Sequence, residues 1–355
     1  MGQYWSARQQ GDGPIFVSLG MVVLDERRYP SRETLYDVPG GSGLFATLGA
    51  RLIQASSDPA RVGCIILAGF DFPRSLLGQV QAWKLTMQVK WLCDKPSTRG
   101  LLEYQDDNLG RKTFRYLTPP LQPWPSDLAS ALSTSDCFHI LATPHDLGKH
   151  VAALSSRHTQ EKPVIVWEPA PPSCEKTHLK THLEACRQVH VFSPNHLELA
   201  SLVRGGPDKP SFSRQATERD AQHFLDAGVG HRGEGIVVIR CGEHGCKILT
   251  RCRPEAEWFP AFYDSDSPKI VDTTGAGNAF LGGFAVGLQT TKDARQAAIL
   301  GSVAASFALE QVGLPKCTPA SWLHAEKWNG STVLSRISEF KSRMDLVNKV
   351  GSQSG

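Results

Sequence analysis

Three observations predict an α/β chain wound as a three-layer sandwich around a mostly parallel central sheet. Short apolar runs recur along the chain, longer segments of helical character separate them, and a Gly-Ala-Gly turn leads into an apolar helix near the carboxyl end. Strands with few polar positions are buried on both faces, as in parallel sheets covered by helices. The β-α-β-α order is that of a doubly wound fold.

In chain order, strands are read at 15–19, 62–67, 138–141, 164–167, 189–192 and 236–239. Helices are read at 44–53, 74–81, 146–155, 176–187, 196–203 and 304–312. Two stretches, about 28–38 and 101–118, carry polar, alternating residues, and Asp107-Asn108-Leu109-Gly110 is a hairpin turn signal. Strands of that kind project from the main sheet, and a small β lid over a cleft is their natural use. The segment 205–221, rich in Gly, Pro, Ser and charge, reads as a surface loop, and 119–124 and 169–172 as rigid connectors. A single domain over 12–345 is therefore expected, with flexible tails at 1–11 and 346–355.

Composition narrows the function classes. Lys and Arg number 38 against 35 Asp and Glu, a net charge of +3, which argues against a dedicated nucleic-acid binder. Hydrophobic residues at 41% and aromatics at 8% exclude a mostly disordered chain. No run approaches the roughly 18 apolar residues of a membrane span. The nine cysteines (Cys64, Cys93, Cys137, Cys174, Cys186, Cys241, Cys246, Cys252 and Cys317) form no CxxC pair and mostly sit in apolar runs. Buried, reduced thiols and a cytoplasmic location are the expectation. Met1-Gly2-Gln3-Tyr4-Trp5-Ser6 fits the loose N-myristoylation pattern. One acyl chain binds membrane only marginally, and a frayed soluble tail is the simpler reading. No membrane partner is expected.

The most informative stretch is Val271-Asp272-Thr273-Thr274-Gly275-Ala276-Gly277-Asn278-Ala279-Phe280. An apolar lead-in and a carboxylate precede the glycine turn, and a helix of small apolar residues follows. Glycines at 275 and 277 let backbone N–H groups converge at the helix start, and with the helix dipole they make an anion site suited to phosphate. A buried helix entered through a glycine turn is the bland alternative.

This segment resembles the second signature of the PfkB/ribokinase-like carbohydrate kinases, D-T-x-G-A-G-D-x-F, at every position but one. Further landmarks follow in family order from about residue 15 to 320. They are Gly20 with Asp25, Pro39-Gly40-Gly41-Ser42-Gly43, Gly69-Phe70-Asp71, Asn195-His196-Leu197-Glu198 and Gly242-Glu243-His244-Gly245. The resemblance implies a ribokinase-like fold with a β lid and ATP-dependent phosphoryl transfer to a hydroxyl of a sugar or related polyol. In that light Asp25, Gly40 and Gly41 belong to the substrate site. Gly275, Ala276 and Gly277 form an anion hole, and Gly242, Gly245 and Asn195 serve the nucleotide. Glu198 orders Mg2+ indirectly. Asp272, Thr274 and Gly313 match positions that hold a monovalent cation, K+, in the family. A β lid in this family often packs against another subunit, which leaves a homodimer open.

Several of these residues also have plainer readings. Asp25 alone would be a turn or helix cap. Asn195 and Glu198, three apart, fit a capping box. Gly242 and Gly245 suit any tight turn.

Two departures bear on chemistry. The family's second Asp takes the proton of the substrate hydroxyl, and here that position is Asn278, whose neutral amide cannot accept it. Phe45 stands where the family usually places a sugar-binding Asn, five residues after Gly40. No carboxylate that could replace the base is evident after Asp272. The chain is therefore read either as a slowed kinase or as a nucleotide-binding pseudokinase with a scaffold role. The overall pattern, with Asn278 in place of the Asp, is similar to the fungal "maintenance of killer" branch of the family. His178 and His182, four apart, read as a solvated helix face rather than a metal pair, and His139, His145 and His150 as chance among 12 histidines.

Overall fold

A computed structural model describes residues 13–353, apart from 56, 107–111, 158–161 and 207–210. The turn signal at Asp107–Gly110 and the amino-terminal Gly2 pattern lie outside the described residues. In chain order the strands are β1 (Phe16–Ser18), β2 (Val23–Arg28), β3 (Leu35–Gly40), β4 (Val62–Gly69), β5 (Thr86–Leu92), β6 (Arg99–Tyr104) and β7 (Lys112–Tyr116). They continue as β8 (Cys137–Ala142), β9 (Val164–Pro169), β10 (Val191–Phe192), β11 (Ile236–Arg240), β12 (Cys246–Thr250) and β13 (Arg253–Phe259).

The large sheet runs β13-β12-β11-β10-β9-β8-β1-β4-β5. It is parallel from β5 to β11, and β12 and β13 add an antiparallel edge. Adjacent residues of one strand fall into different cores: Phe16 packs in the cluster on one face and Val17 in the cluster on the other. That two-sided burial is why these strands lack polar alternation. The predicted three-layer architecture around a mostly parallel sheet is thus what forms.

A second sheet, β3-β2-β6-β7, stands apart as the lid. The β2–β3 and β6–β7 pairs are antiparallel, while β2–β6 is parallel. Residues 28–38 cover the end of β2, the polar connection and the start of β3. The buried Val23 and Leu24 begin the lid one strand earlier, directly after the apolar β1 region.

Some local readings change. The segment 205–221 is not all loop, because a helix runs from Arg214 to Ala227. Ser213 caps it by accepting from the Ala216 N–H, and Ala216, Ala221, Phe224 and Leu225 form its buried face. Polar residues crowd its first turns and hid that face, whose large apolar members, Phe224 and Leu225, lie past residue 221. The helix read at 304–312 is observed at Ala294–Leu309, and Val333–Gln353 is also helical. His182 is buried against Trp167 (ring centroids 5.5 Å apart) with its Nδ1 2.8 Å from the His178 carbonyl, so it does not lie on a solvated face. All nine cysteines are free thiols, with Cys93 and Cys252 exposed. No helix among the described residues is long and apolar enough to cross a membrane.

Candidate active site

The glycine turn enters the Ala276–Thr291 helix through Gly275, whose φ of 82° lies in the left-handed region. A Cβ at Gly275 would stand 2.2 Å from the Phe45 ring, so only glycine suits both the backbone and the neighbour. The first-turn N–H groups of this helix have no partners within the helix, the Ala276 N–H donating to the Thr273 carbonyl at 3.4 Å, and the residues that carry them line two cavities.

The first cavity, about 610 Å3, lies under the lid. Asp25, Gly41 and Phe45 line it together with Thr274, Gly275 and Asn278. Gly40 sits directly behind, where a Cβ would come 2.1 Å from Asp25 Oδ2. The second cavity, about 620 Å3, is lined by Gly242, Gly245, Ala276 and Gly277, with the apolar side chains of Phe262, Ile270 and Leu309. The landmarks Asp25, Gly41, Gly242, Gly245 and Gly275–Asn278 therefore converge on the two sides of one helix start, whereas Asn195, Glu198 and Asp71 line neither cavity.

Asp25 is 3% exposed, and burial lifts its pKa to about 7 against the opposing pull of Arg27 and Lys112. Asn195 and Glu198 form the capping box: Asn195 Oδ1 accepts from the Glu198 N–H (2.8 Å), and the Asn195 N–H donates to Glu198 Oε2 (2.8 Å). Both stand behind Arg240, whose Nη2 is 3.7 Å from Glu198 Oε2. Burial likewise raises Glu198 to about 7, although Arg240 works in the other direction. Unfolded carboxyls ionise near pH 4, so these two groups bind more protons in the folded chain between about pH 4 and 7. Their contribution to stability falls as the pH rises through that interval, while the buried His150, whose pKa is pushed down to about 4, contributes in the opposite sense. The thermal midpoint measured against pH checks this: in Asp25→Asn or Glu198→Gln it should fall less, or rise more, between about pH 4 and 7 than in the wild type.

Asp272 and Thr274 are held together, the Thr274 N–H donating to Asp272 Oδ1 at 3.0 Å. Lid cations meet them: Arg27 of β2 pairs with Asp272, and Lys112 Nζ of β7 donates to Thr274 Oγ1 at 2.5 Å. Gly313 approaches the lid, where a Cβ would lie 3.5 Å from Pro39. Asp71 anchors β6 by accepting from the Ser97 N–H (2.7 Å) and Arg99 Nε (2.9 Å). Among the described residues no group of three His, Cys, Asp or Glu is disposed to hold a metal ion.

The residues missed from sequence are Arg240, Glu168, His139, His150 and Trp124. Arg240 ends β11 and Glu168 is the penultimate residue of β9, both at the carboxyl ends of parallel strands where ligands bind in such sheets. A charged residue closing an apolar run was the available signal. A Cβ on Gly277 would meet Arg240 Nη1 at 2.6 Å, so the guanidinium lies against the glycine turn. Its Nη1 pairs with Glu168 Oε1 at 2.8 Å. Trp124 and His150 stack face to face (ring centroids 4.2 Å apart) along the first cavity. Burial pushes the His150 pKa down to about 4, so the ring is neutral at ordinary pH.

A mostly parallel sheet with a β lid, and a glycine turn shared by two cavities, describes a sugar-kinase class of protein. The chain belongs to the pfkB family of carbohydrate kinases, whose family model matches residues 33–321. It is 30% identical over 343 residues to an uncharacterised protein of Schizosaccharomyces pombe, covering 92% of each chain. Protein MAK32 of Saccharomyces cerevisiae is 28% identical over 351 residues, with 94% of this chain and 93% of that one covered. These two relatives agree with the fungal branch that the motif pattern resembles. Among solved structures, the ribokinase of Giardia lamblia superposes with a TM-score of 0.67 at 16% identity, over 94% of this chain and all of that one.

Proposed function

We propose that the chain binds a nucleoside triphosphate, ATP, in the Gly242–Gly245 cavity and a small polyhydroxylated molecule in the Asp25 cavity, and transfers a phosphoryl group slowly between them. The observation that carries this reading is the shared turn: Gly275 and Asn278 face one cavity while Ala276 and Gly277 face the other. A phosphate on the nucleotide side and a hydroxyl on the lid side would meet at converging amides, which act electrostatically on the transferring group. Arg240 adds a fixed positive charge there. Asp25 would accept hydrogen bonds from substrate hydroxyls, and Thr274 and Asn278 would orient the attacking one.

Mg2+ keeps most of its waters and needs only one or two carboxylates. Glu198 fits that requirement, being a partly buried carboxyl beside Arg240, which lines the nucleotide cavity, and a bound divalent cation would reverse its raised pKa. Bound there, the ion would supply charge neutralisation on the phosphates. K+ beside Asp272 would have to share that carboxylate with Arg27.

A second reading is favoured by Asn278. Without a base, transfer forfeits a contribution of roughly 10²–10⁴-fold, and the chain would serve as a nucleotide-binding pseudokinase. Two measurements separate the readings. Mg-ATP is expected to raise the thermal midpoint, since a ligand at 100 times its Kd adds about 2.7 kcal/mol to stability. Slow ADP release dependent on a sugar or polyol, lost in Gly277→Val, would support transfer. A thermal shift without turnover across a panel of sugars, polyols and nucleosides would leave the pseudokinase. Absence of any shift would sink both.

A further inference from the structure

Asn278 Nδ2 donates to Glu168 Oε2 at 2.5 Å across 110 residues of sequence. An ionised carboxylate only accepts, so the amide nitrogen must face it, and Oδ1 is left for the cavity that Asn278 lines. Turning the amide over would set two acceptor oxygens against each other. Glu168 is itself saturated. Its Oε1 takes the Arg240 guanidinium at 2.8 Å, and its Oε2 also accepts from His139 Nε2 at 3.2 Å. With Nε2–H donating, His139 Nδ1 accepts from the Ser18 hydroxyl at 2.9 Å. Glu168 is 5% exposed and is not among the residues lining the substrate cavity, so a hydroxyl bound there meets Asn278 before Glu168. Burial works against its charge, but Arg240 and His139 outweigh it and hold the pKa below the usual carboxylate range.

We infer that this site has exchanged its carboxylate for an amide and kept the charge one residue away. Glu168 carries the negative charge and is a positioning residue that orients Asn278 as a hydroxyl acceptor. This rests on the proposed reading that Asn278 faces the substrate hydroxyl. It has a consequence that the motif alone would not suggest. Asn278→Asp, the change that restores the family signature, would set a second carboxylate against Glu168. Two carboxyls in such contact share a proton, so the new group would not be a free base. Exchanging the pair, Glu168→Gln with Asn278→Asp, keeps the count of charges and should release it.

The test is a double-mutant cycle on the full chain comprising the wild type, Asn278→Asp, Glu168→Gln and the exchanged double variant. Thermal midpoints are read at about pH 5 and 8. The titratable or charged groups facing the pair are His139 from β8, Arg240 from β11 and, through Arg240, Glu198 of the His196–Val203 helix. All three are common to the four proteins. The midpoint loss in Asn278→Asp is expected to be roughly twice as large at pH 8 as at pH 5, because the shared proton must then leave. The double variant should lose less than the sum of the singles and show no such deepening. A loss in Asn278→Asp that is equal at the two pH values, or single effects that simply add, would overturn the inference.

If Asn278→Asp cannot be purified, recovery of folded protein in the double variant supports the pairing, and failure of both overturns it. None of these readouts needs turnover, so they stand apart from the test of the proposed reaction. Where ADP release is measurable, the double variant should exceed Asn278→Asp by at least about tenfold in kcat with little change in KM.

Discussion

Gly282→Ala is expected to destabilise the folded chain by about 3 kcal/mol or more, at the upper end of what overpacking costs. A Cβ there would sit 1.8 Å from the Ala46 carbonyl oxygen and 2.8 Å from the Ala50 nitrogen. Both are backbone atoms of the Ser42–Ile53 helix, so no side chain can swing away to make room. The two helices would have to separate, and they position the site from opposite sides. One presents Phe45 beneath the turn, and the other begins at the turn itself. Gly78→Ala is the matched control. Gly78 lies inside the Arg74–Gln81 helix with nothing within 4 Å of a new Cβ. That substitution should raise stability by about 0.5–1 kcal/mol through helix propensity. Urea unfolding midpoints of the two variants check the contrast; equal effects would show that the helix contact is not as close as described.

Arg27→Met should lower stability by about 3–5 kcal/mol, because it leaves Asp272 buried without its partner. The two side chains are 0% and 1% exposed. Lys112, 4.0 Å from Asp272, can compensate only in part. Two further nitrogens of Arg27, Nε and Nη2, have no hydrogen-bond partner among the described residues, so the intact pair is not a large net gain over an apolar substitute. Arg27→Met with Asp272→Asn is therefore expected to recover much of the loss. Thermal unfolding of the three variants decides it. A stable Arg27→Met single variant would mean that the lid is not tied to the glycine turn through this pair.

The elements legible in the sequence were those whose signal is local. The Arg74–Gln81 and His196–Val203 helices have the bounds that their patterns predict, because caps and apolar spacing lie within one or two turns. The capping box at Asn195 and Glu198 was readable for the same reason. The Arg214–Ala227 helix was obscured because polar residues crowd its first turns and the large apolar members of its buried face, Phe224 and Leu225, come only near its end. The β5 edge strand was missed because it is only half-buried and carries a mixed pattern.

The same division applies to the candidate site. The residue pattern determined the fold class, the glycine turn at Gly275–Gly277 and the neutral amide at Asn278, since a helix start is built from neighbours in the chain. Tertiary structure decided what surrounds them. Glu168 reaches Asn278 across 110 positions, and Arg27 reaches Asp272 across 245. Parallel strands joined by crossover helices bring their carboxyl ends side by side only after the sheet has formed. Charges at those ends carry no mark of their partners in the linear pattern. The missing carboxylate at position 278 was visible in the sequence, and the one standing beside it was visible only in the fold.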